Sequence, residues 1–209
     1  MKSPIACLAP FLLAACNGTG QEVGARAPDV SEPRASPAAS AVSYVDSAIP
    51  IEEALRRFRK DLPRPKALVG GLGSREKLVR EFVRAVGSSD TVALRRMALR
   101  ADEFGWLYYP SSPLSQPPYE LAPALMWFQL QGESERGASR LLAERSGSRL
   151  RYLGHTCAPL REEGRNRLHG DCELRYRTVH GETIVERLFG LIIERDGLYK
   201  FVSYANRLD

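Results

Sequence analysis

The apolar pattern of this chain changes period once, near Arg149, and that change decides the class of fold. Before it, apolar residues recur every three to four positions, as on one face of a helix. After it, they alternate or run in short blocks bounded by turn residues, as in strands. Four strands are expected: Arg149–Thr156, Leu168–Val179, Glu182–Arg195 and Leu198–Ala205. His180-Gly181 turns the second into the third, and Asp196-Gly197 is a two-residue hairpin signal before the fourth. In the third strand Val185, Phe189, Leu191 and Ile193 share one face and Ile184, Leu188 and Ile192 the other, so it is expected to be covered on both sides. In the fourth, Tyr199 and Phe201 alternate with Lys200 and Val202, which predicts one wetter face. The expected class is α+β, with helices packed on a curved antiparallel sheet of four to five strands.

Upstream, Pro50 to Lys60 predicts a helix, with Pro50 in its first turn and Ile51, Leu55, Phe58 and Leu62 along one face. Glu52–Arg56 and Glu53–Arg57 are favourable pairs one turn apart. This helix either docks on the domain or lies on lipid, and its narrow apolar face favours docking. Pro63 to Gly73 is expected to be a connector. Its Gly70-Gly71-Leu72-Gly73 hints at a phosphate-cradling turn, but Glu76 stands where a further glycine would be needed. Ser74 can cap a helix from Arg75 to Val86, with Leu78, Val79, Phe82, Val83 and Val86 as its buried stripe. Ser89 or Asp90 caps a shorter one to about Leu99, with Val92, Ala93 and Met97 inward.

Phe104 to Phe128 is the densest aromatic stretch and holds both tryptophans. Gly105 to Tyr109 is expected to be a short strand and Pro110 to Pro118 a loop. Helix should resume near Leu121 and run to Gln131, be broken by Gly132, and start again from Glu135 to Arg145. Trp106, Tyr108, Tyr109, Tyr119 and Trp127 are the candidate ligand-binding residues: they could stack on sugar rings or line an apolar pocket. The competing role is core filling. Tyr109 and Tyr119, next to prolines, are expected to be the exposed ones.

The N-terminus has the three parts of an export signal: Met1-Lys2, an apolar run from Ile5 to Leu13, and small residues at Ala14-Ala15. The run is too short to span a bilayer, which takes about 20 apolar residues. Leu13-Ala14-Ala15-Cys16 resembles the lipobox of bacterial lipoproteins. That resemblance implies cleavage before Cys16 and lipidation of its thiol and amine, giving a membrane anchor by acyl chains such as palmitate. Asn17 at the following position implies the outer membrane, facing the periplasm. The expected organisation is a signal peptide over 1–15, a disordered tether over 16–48, a helix and connector over 49–73, and a folded domain over 74–209.

Cys7 would leave with the signal and Cys16 would carry lipid, so Cys157 and Cys172 remain as a pair. In an oxidising compartment they are expected to form a disulfide. It would join the end of one strand to the start of its antiparallel neighbour. A metal site using His155 and His169 is the rival, but no CxxC or HxxxH spacing is present. Net charge is +5, supplied almost wholly by arginine, and no block of five like charges occurs. Nucleic acid is therefore not an expected partner. The expected partners are the membrane, through the lipid, and a small apolar or sugar ligand or another envelope protein. No nucleotide loop, nucleophile motif or zinc-hydrolase motif is present, and no cofactor is expected.

Helices, a short strand, more helix, then an antiparallel meander resemble the NTF2-like (SnoaL-like) α+β cone over about Ser74 to Asp209. The stretch Phe82-Val83-Arg84-Ala85-Val86-Gly87-Ser88-Ser89-Asp90, with Leu94 following, is similar to a frequent opening of that superfamily. The resemblance implies a pocket between helices and sheet that binds a ligand, catalyses, or is filled. In its enzymes a His, Asp or Tyr acts as acid or base. The candidate here is His155, oriented by Asp102 or Glu103. His180, in a turn, is expected to be exposed, and His169 to open a strand beside a charged loop.

Overall fold

The computed structural model describes residues 49–205, which belong to one compact unit, Asp46–Asp209. The expectations for Cys16 and for residues 1–48 lie outside the described residues. Among the described residues five α-helices and seven strands make an α+β fold with two antiparallel sheets. The helices are α1 (Ile51–Arg59), α2 (Arg75–Gly87), α3 (Thr91–Met97), α4 (Ala101–Glu103) and α5 (Pro123–Arg145). The strands are β1 (Arg151–Thr156), β2 (Arg161–Glu163), β3 (Asn166–His169), β4 (Glu173–Arg177), β5 (Thr183–Glu186), β6 (Ile192–Arg195) and β7 (Leu198–Phe201). One sheet runs β1-β4-β5 and the other β2-β3-β6-β7.

The two sheets share chain segments that alternation alone presents as single strands. The expected second strand is split into β3 and β4, and the third into β5 and β6. Both splits fall opposite each other, around Gly170-Asp171 and Leu188–Leu191. Asp171 has φ 47°, which no strand residue adopts. The pairing slips by one residue across the break: Leu168 faces Ile193, whereas Leu174 faces Glu186. The result is a long hairpin bent in the middle, and the bend produces the curvature. β6 is covered on both faces, with Ile192 and Ile193 both buried; β5 is an edge, and its Val185 is exposed. The charged loop also holds a short strand, β2, which pairs with β3.

One hydrophobic core lies between α2, α3 and the concave sheet face, around Phe82, Tyr176, Ile192 and Phe201. Ser74 caps α2 by accepting from the Lys77 amide, and Asp90 caps α3 by accepting from the Ala93 amide. Ala93, Leu94 and Met97 are spaced to share the inward face of α3, which leaves Val92, expected inward, exposed on the other side. The second core packs the opposite sheet face against Phe104, Tyr108, Tyr109 and Met126. α1 docks on this second core through Ile51, Leu55 and Phe58. Glu53 pairs with both Arg56 and Arg57.

Gly105 to Tyr109 is not a strand. Phe104–Tyr108 is a π-helical turn continuing α4. Such a turn frees backbone carbonyls, and here side chains satisfy them: Arg59 Nε donates to Gly105 O at 2.9 Å, and Asn166 Nδ2 to Leu107 O at 2.8 Å. Gly132 does not break α5, which runs unbroken for 23 residues. One interior glycine costs about 1 kcal/mol, which packing along both cores offsets. Gly137 has its own reason: a Cβ there would lie 1.9 Å from Tyr204 O. The 63–73 segment is more than a linker, because Leu68 is buried and Leu72 bridges Tyr199 on β7.

Cys157 and Cys172 form a disulfide across β1 and β4, next in register to Thr156 and Glu173. No described helix is long and apolar enough to cross a membrane.

Candidate functional site

α2 begins against the concave face where β1, β3, β6 and β7 come together. The polar side chains there line a cleft of about 630 Å³. Arg75, the first residue of α2, reaches across it. Its Nε donates to His155 Nε2 at 3.0 Å, and its Nη1 lies 2.7 Å from His169 Nδ1. A guanidinium only donates, so both imidazole nitrogens facing it must be acceptors. His155 is therefore protonated on Nδ1, which lies 2.8 Å from the Tyr152 hydroxyl oxygen and donates to it. His169 is protonated on Nε2, which donates to Glu194 Oε2 at 3.1 Å. Glu194 also accepts from Arg167 Nη1 at 3.0 Å and from the Tyr199 hydroxyl. One chain of hydrogen bonds thus runs from Tyr152 to Tyr199 through Arg75.

Local structure explains how these residues meet. Tyr152 and His155 are three apart, so an unbroken strand would aim them at opposite faces. A β-bulge falls between Tyr152 and Gly154, where the register to β4 shifts. It restores the two side chains to one face, a common use of bulges near functional residues. Arg167, His169 and Glu194 need no such device. Arg167 faces Glu194 across β3 and β6, and His169 is two residues further along the same face. Tyr199 faces Glu194 from β7.

The environment keeps both imidazoles neutral. Burial, then the Arg75 charge, holds His155 below the ordinary 6.5. For His169 burial again leads; the bond to Glu194 opposes it, and Arg75 and Arg167 add to it, leaving His169 also below 6.5. Burial pushes the Glu194 carboxyl up, but bonds from His169, Tyr199 and Arg167 outweigh it and hold Glu194 below 4.5.

The expected catalytic group is not assembled. His155 bonds Arg75 and Tyr152, not Asp102 or Glu103. Asp102 is buried and paired with Arg100. Glu103 is fully buried in the second core, where it accepts from Lys200 Nζ at 2.8 Å and from the amides of Val69 and Arg100. Lys200 is likewise fully buried rather than on a wetter face, and burial lowers its pKa despite the bond to Glu103. His180 is exposed in a turn; His169 closes β3 rather than opening a strand, and is buried.

The five aromatic candidates do not converge. Tyr108 and Tyr109 fill the second core. Burial pushes the Tyr108 hydroxyl up to about 12, and the Tyr109 hydroxyl donates to Leu121 O, so Tyr109 is not exposed as its prolines suggested. Trp106 is half-buried under the guanidinium groups of Arg59 and Arg64, 4.1 and 4.8 Å from its ring centre. Trp127 packs on Phe104 and lines a separate groove of about 440 Å³ between α3 and α5. Tyr119 alone of the five is exposed.

A larger hollow, about 720 Å³, lies between α5 and the hairpin bend, with Arg136, Arg140, Arg161 and Arg187 at its rim. Its floor is glycine and apolar side chains, and its Arg187–Asp171 ion pair, at 3.4 Å, is exposed to solvent, so the Arg75 cleft is the better site. Among the described residues no group of three or more His, Cys, Asp or Glu is placed to hold a metal. No family model, curated protein or solved structure matches this chain.

Proposed function

We propose that this chain is an exported, lipid-anchored envelope protein whose domain, of NTF2-like design, binds a small polar ligand in the Arg75 cleft. The observation that carries the binding role is the chain of hydrogen bonds from Tyr152 to Tyr199, built from four strands and a helix and open to solvent along one side. Positioning so many polar groups around an open space is how ligand sites differ from packed interiors. The polar lining favours a polar ligand over an apolar one. Export rests on the residues before Cys16 and fits the Cys157–Cys172 disulfide. Native mass spectrometry of the full-length chain, purified in detergent from its host, tests binding. A retained small molecule that is lost in Arg75→Gln is expected; an empty wild-type protein counts against it. Cys16→Ser is expected to move the protein into soluble fractions, and unchanged membrane association would refute the anchor.

The His169–Glu194 bond at 3.1 Å favours one second reading, an acid/base enzyme. A carboxylate that fixes an imidazole tautomer is what a general base requires. In that case Glu194→Gln would abolish turnover while leaving ligand retention intact.

A further inference from the structure

Arg75 is the cation of this cleft that lacks an acid. Arg80 pairs with Glu76 at 2.6 Å, and Arg167 pairs with Glu194. Among the described residues no carboxylate lies within ion-pair distance of Arg75, whose guanidinium is held only by two neutral imidazoles. Three arginines against two glutamates leave the cleft with one positive charge in excess. The relay also leaves one donor unspent. Tyr152 accepts from His155, so its own O–H proton is available to a ligand, and no acceptor for it is found among the described residues. Arg75 retains Nη2 in the same way.

We propose that the cleft takes an oxyanion, the carboxylate or phosphate-type group of a small molecule, seated against Arg75 and the Tyr152 hydroxyl. This deepens the ligand-binding reading above and rests on it. An oxyanion is the group that a planar donor fork recognises in two bonds at once. Binding is coupled to protonation of His155 and His169. Once protonated, each imidazole turns the nitrogen facing Arg75 into a donor. The bonds from Arg75 are then lost, and an anion seated among Arg75 and the two imidazoles is the acceptor that all three cations lack. The other charged groups facing the space do not reverse this. Glu76 is engaged by Arg80, and Glu194 is engaged by Arg167 and Tyr199, whose bonds with that from His169 hold its carboxyl below the ordinary range. The sign follows: the anion favours the protonated imidazoles, so affinity rises as the pH falls below about 6.5.

Sulfate keeps its charge across this range and is the probe. In titration calorimetry of the full-length chain, sulfate is expected to bind about tenfold more tightly at pH 5.5 than at pH 7.5. Succinate tests the carboxylate source, and methyl phosphate the phosphate source. Arg75→Gln should abolish binding, and Tyr152→Phe, which keeps the ring, should weaken it several-fold at both pH values. No binding of any of the three anions, or unchanged binding by both variants, overturns the proposal. A neutral molecule retained by the wild-type protein and displaced by none of the anions would also overturn it, while leaving the ligand-binding reading standing.

Discussion

Two acid–base centres sit back to back on the same strands, and they have opposite characters. Glu194 and Tyr199 point to the concave face, while Ile193 and Lys200, their neighbours in sequence, point to the other. On that other side Lys200 and Glu103 are fully buried and meet each other: Lys200 donates to Glu103 and Val69 O, and Glu103 accepts from two amides besides. On the concave side Arg75 has no acid and Tyr152 a spare proton, and space adjoins both. A saturated buried pair specifies structure, since it can bind nothing more. An unsaturated set beside a cleft retains capacity to bind. Charge alone does not separate the two; completeness of hydrogen bonding does.

The largest expected effect comes from breaking the saturated pair. Lys200→Met leaves the Glu103 carboxylate buried without a cation and should cost about 3–5 kcal/mol in denaturant unfolding. Adding Glu103→Leu should restore most of that, because a matched apolar pair needs no desolvation. Arg75→Gln, on the concave side, should cost about 1 kcal/mol or less, since both its partners are neutral and no charge is left unpaired. Equal losses from Lys200→Met and Arg75→Gln would break the contrast.

Next in size is the disulfide. Cys157 and Cys172 are 15 residues apart in sequence, and opening that loop should cost about 3 kcal/mol in the chain-entropy model. The bridge ties β1, which carries Tyr152 and His155, to β4, and does not touch the second core. Cys157→Ser with Cys172→Ser should therefore raise hydrogen exchange in β1 more than in β7. Uniform loosening of both would show that the two sides are not separable.

How much of this was legible beforehand depends on the range of the cause. The first three helices and their caps follow from local chemistry, and Ser74 and Asp90 cap as their types predict. The α+β class follows from the change of period. The bend around Gly170-Asp171 does not, because alternation continues through it and the break is visible only once the two halves pair with different partners. The π-turn at Phe104–Tyr108 was equally hidden: alternating large residues mimic a strand, and the donors that stabilise the turn come from Arg59 and Asn166, far away in sequence. Three residues of the cleft, Arg75, Glu194 and Tyr199, were missed for related reasons. Arg75 opens the predicted helix outside its apolar stripe, and nothing local aims it at the sheet. Glu194, however, carried a signal, for an acid within Leu191-Ile192-Ile193-Glu194 sits in a strand expected to be covered on both faces, and a charge there demands a partner. His155 was singled out, but its Tyr152 partner depends on a bulge that alternation cannot show.

The pH response sharpens the contrast by a smaller amount. His155 and His169 protonate below 6.5 in the fold and near 6.5 when unfolded. The unfolded chain thus takes up their protons first. Stability should be flat above about pH 6.5 and fall below it, by about 1 kcal/mol in total for the half-buried His155 and the buried His169. Glu194, held below 4.5, adds a second loss as the pH falls through its own lower range. The double variant His155→Gln, His169→Gln should flatten the first step in thermal melts between pH 7.5 and 5.5, and sulfate should reduce it in the wild type. A first step that survives both changes would place the acid sensitivity elsewhere.

The smallest effect belongs to Tyr119, an exposed ring of the aromatic segment. Tyr119 is 66% exposed beside Pro118 and belongs to neither core. Tyr119→Ala should change stability by about 0.5 kcal/mol or less. Tyr109→Ala, ten residues earlier, removes a buried ring and its bond to Leu121 O, and should cost about 3–5 kcal/mol. If Tyr119 served a ligand in the cleft, its loss would weaken anion binding without touching the melt. The geometry predicts the contrary, because Tyr119 does not line the cleft. Unchanged sulfate affinity in Tyr119→Ala, alongside its loss in Arg75→Gln, would confine recognition to the concave face, whereas a parallel loss in both would extend the site to the proline-rich insert.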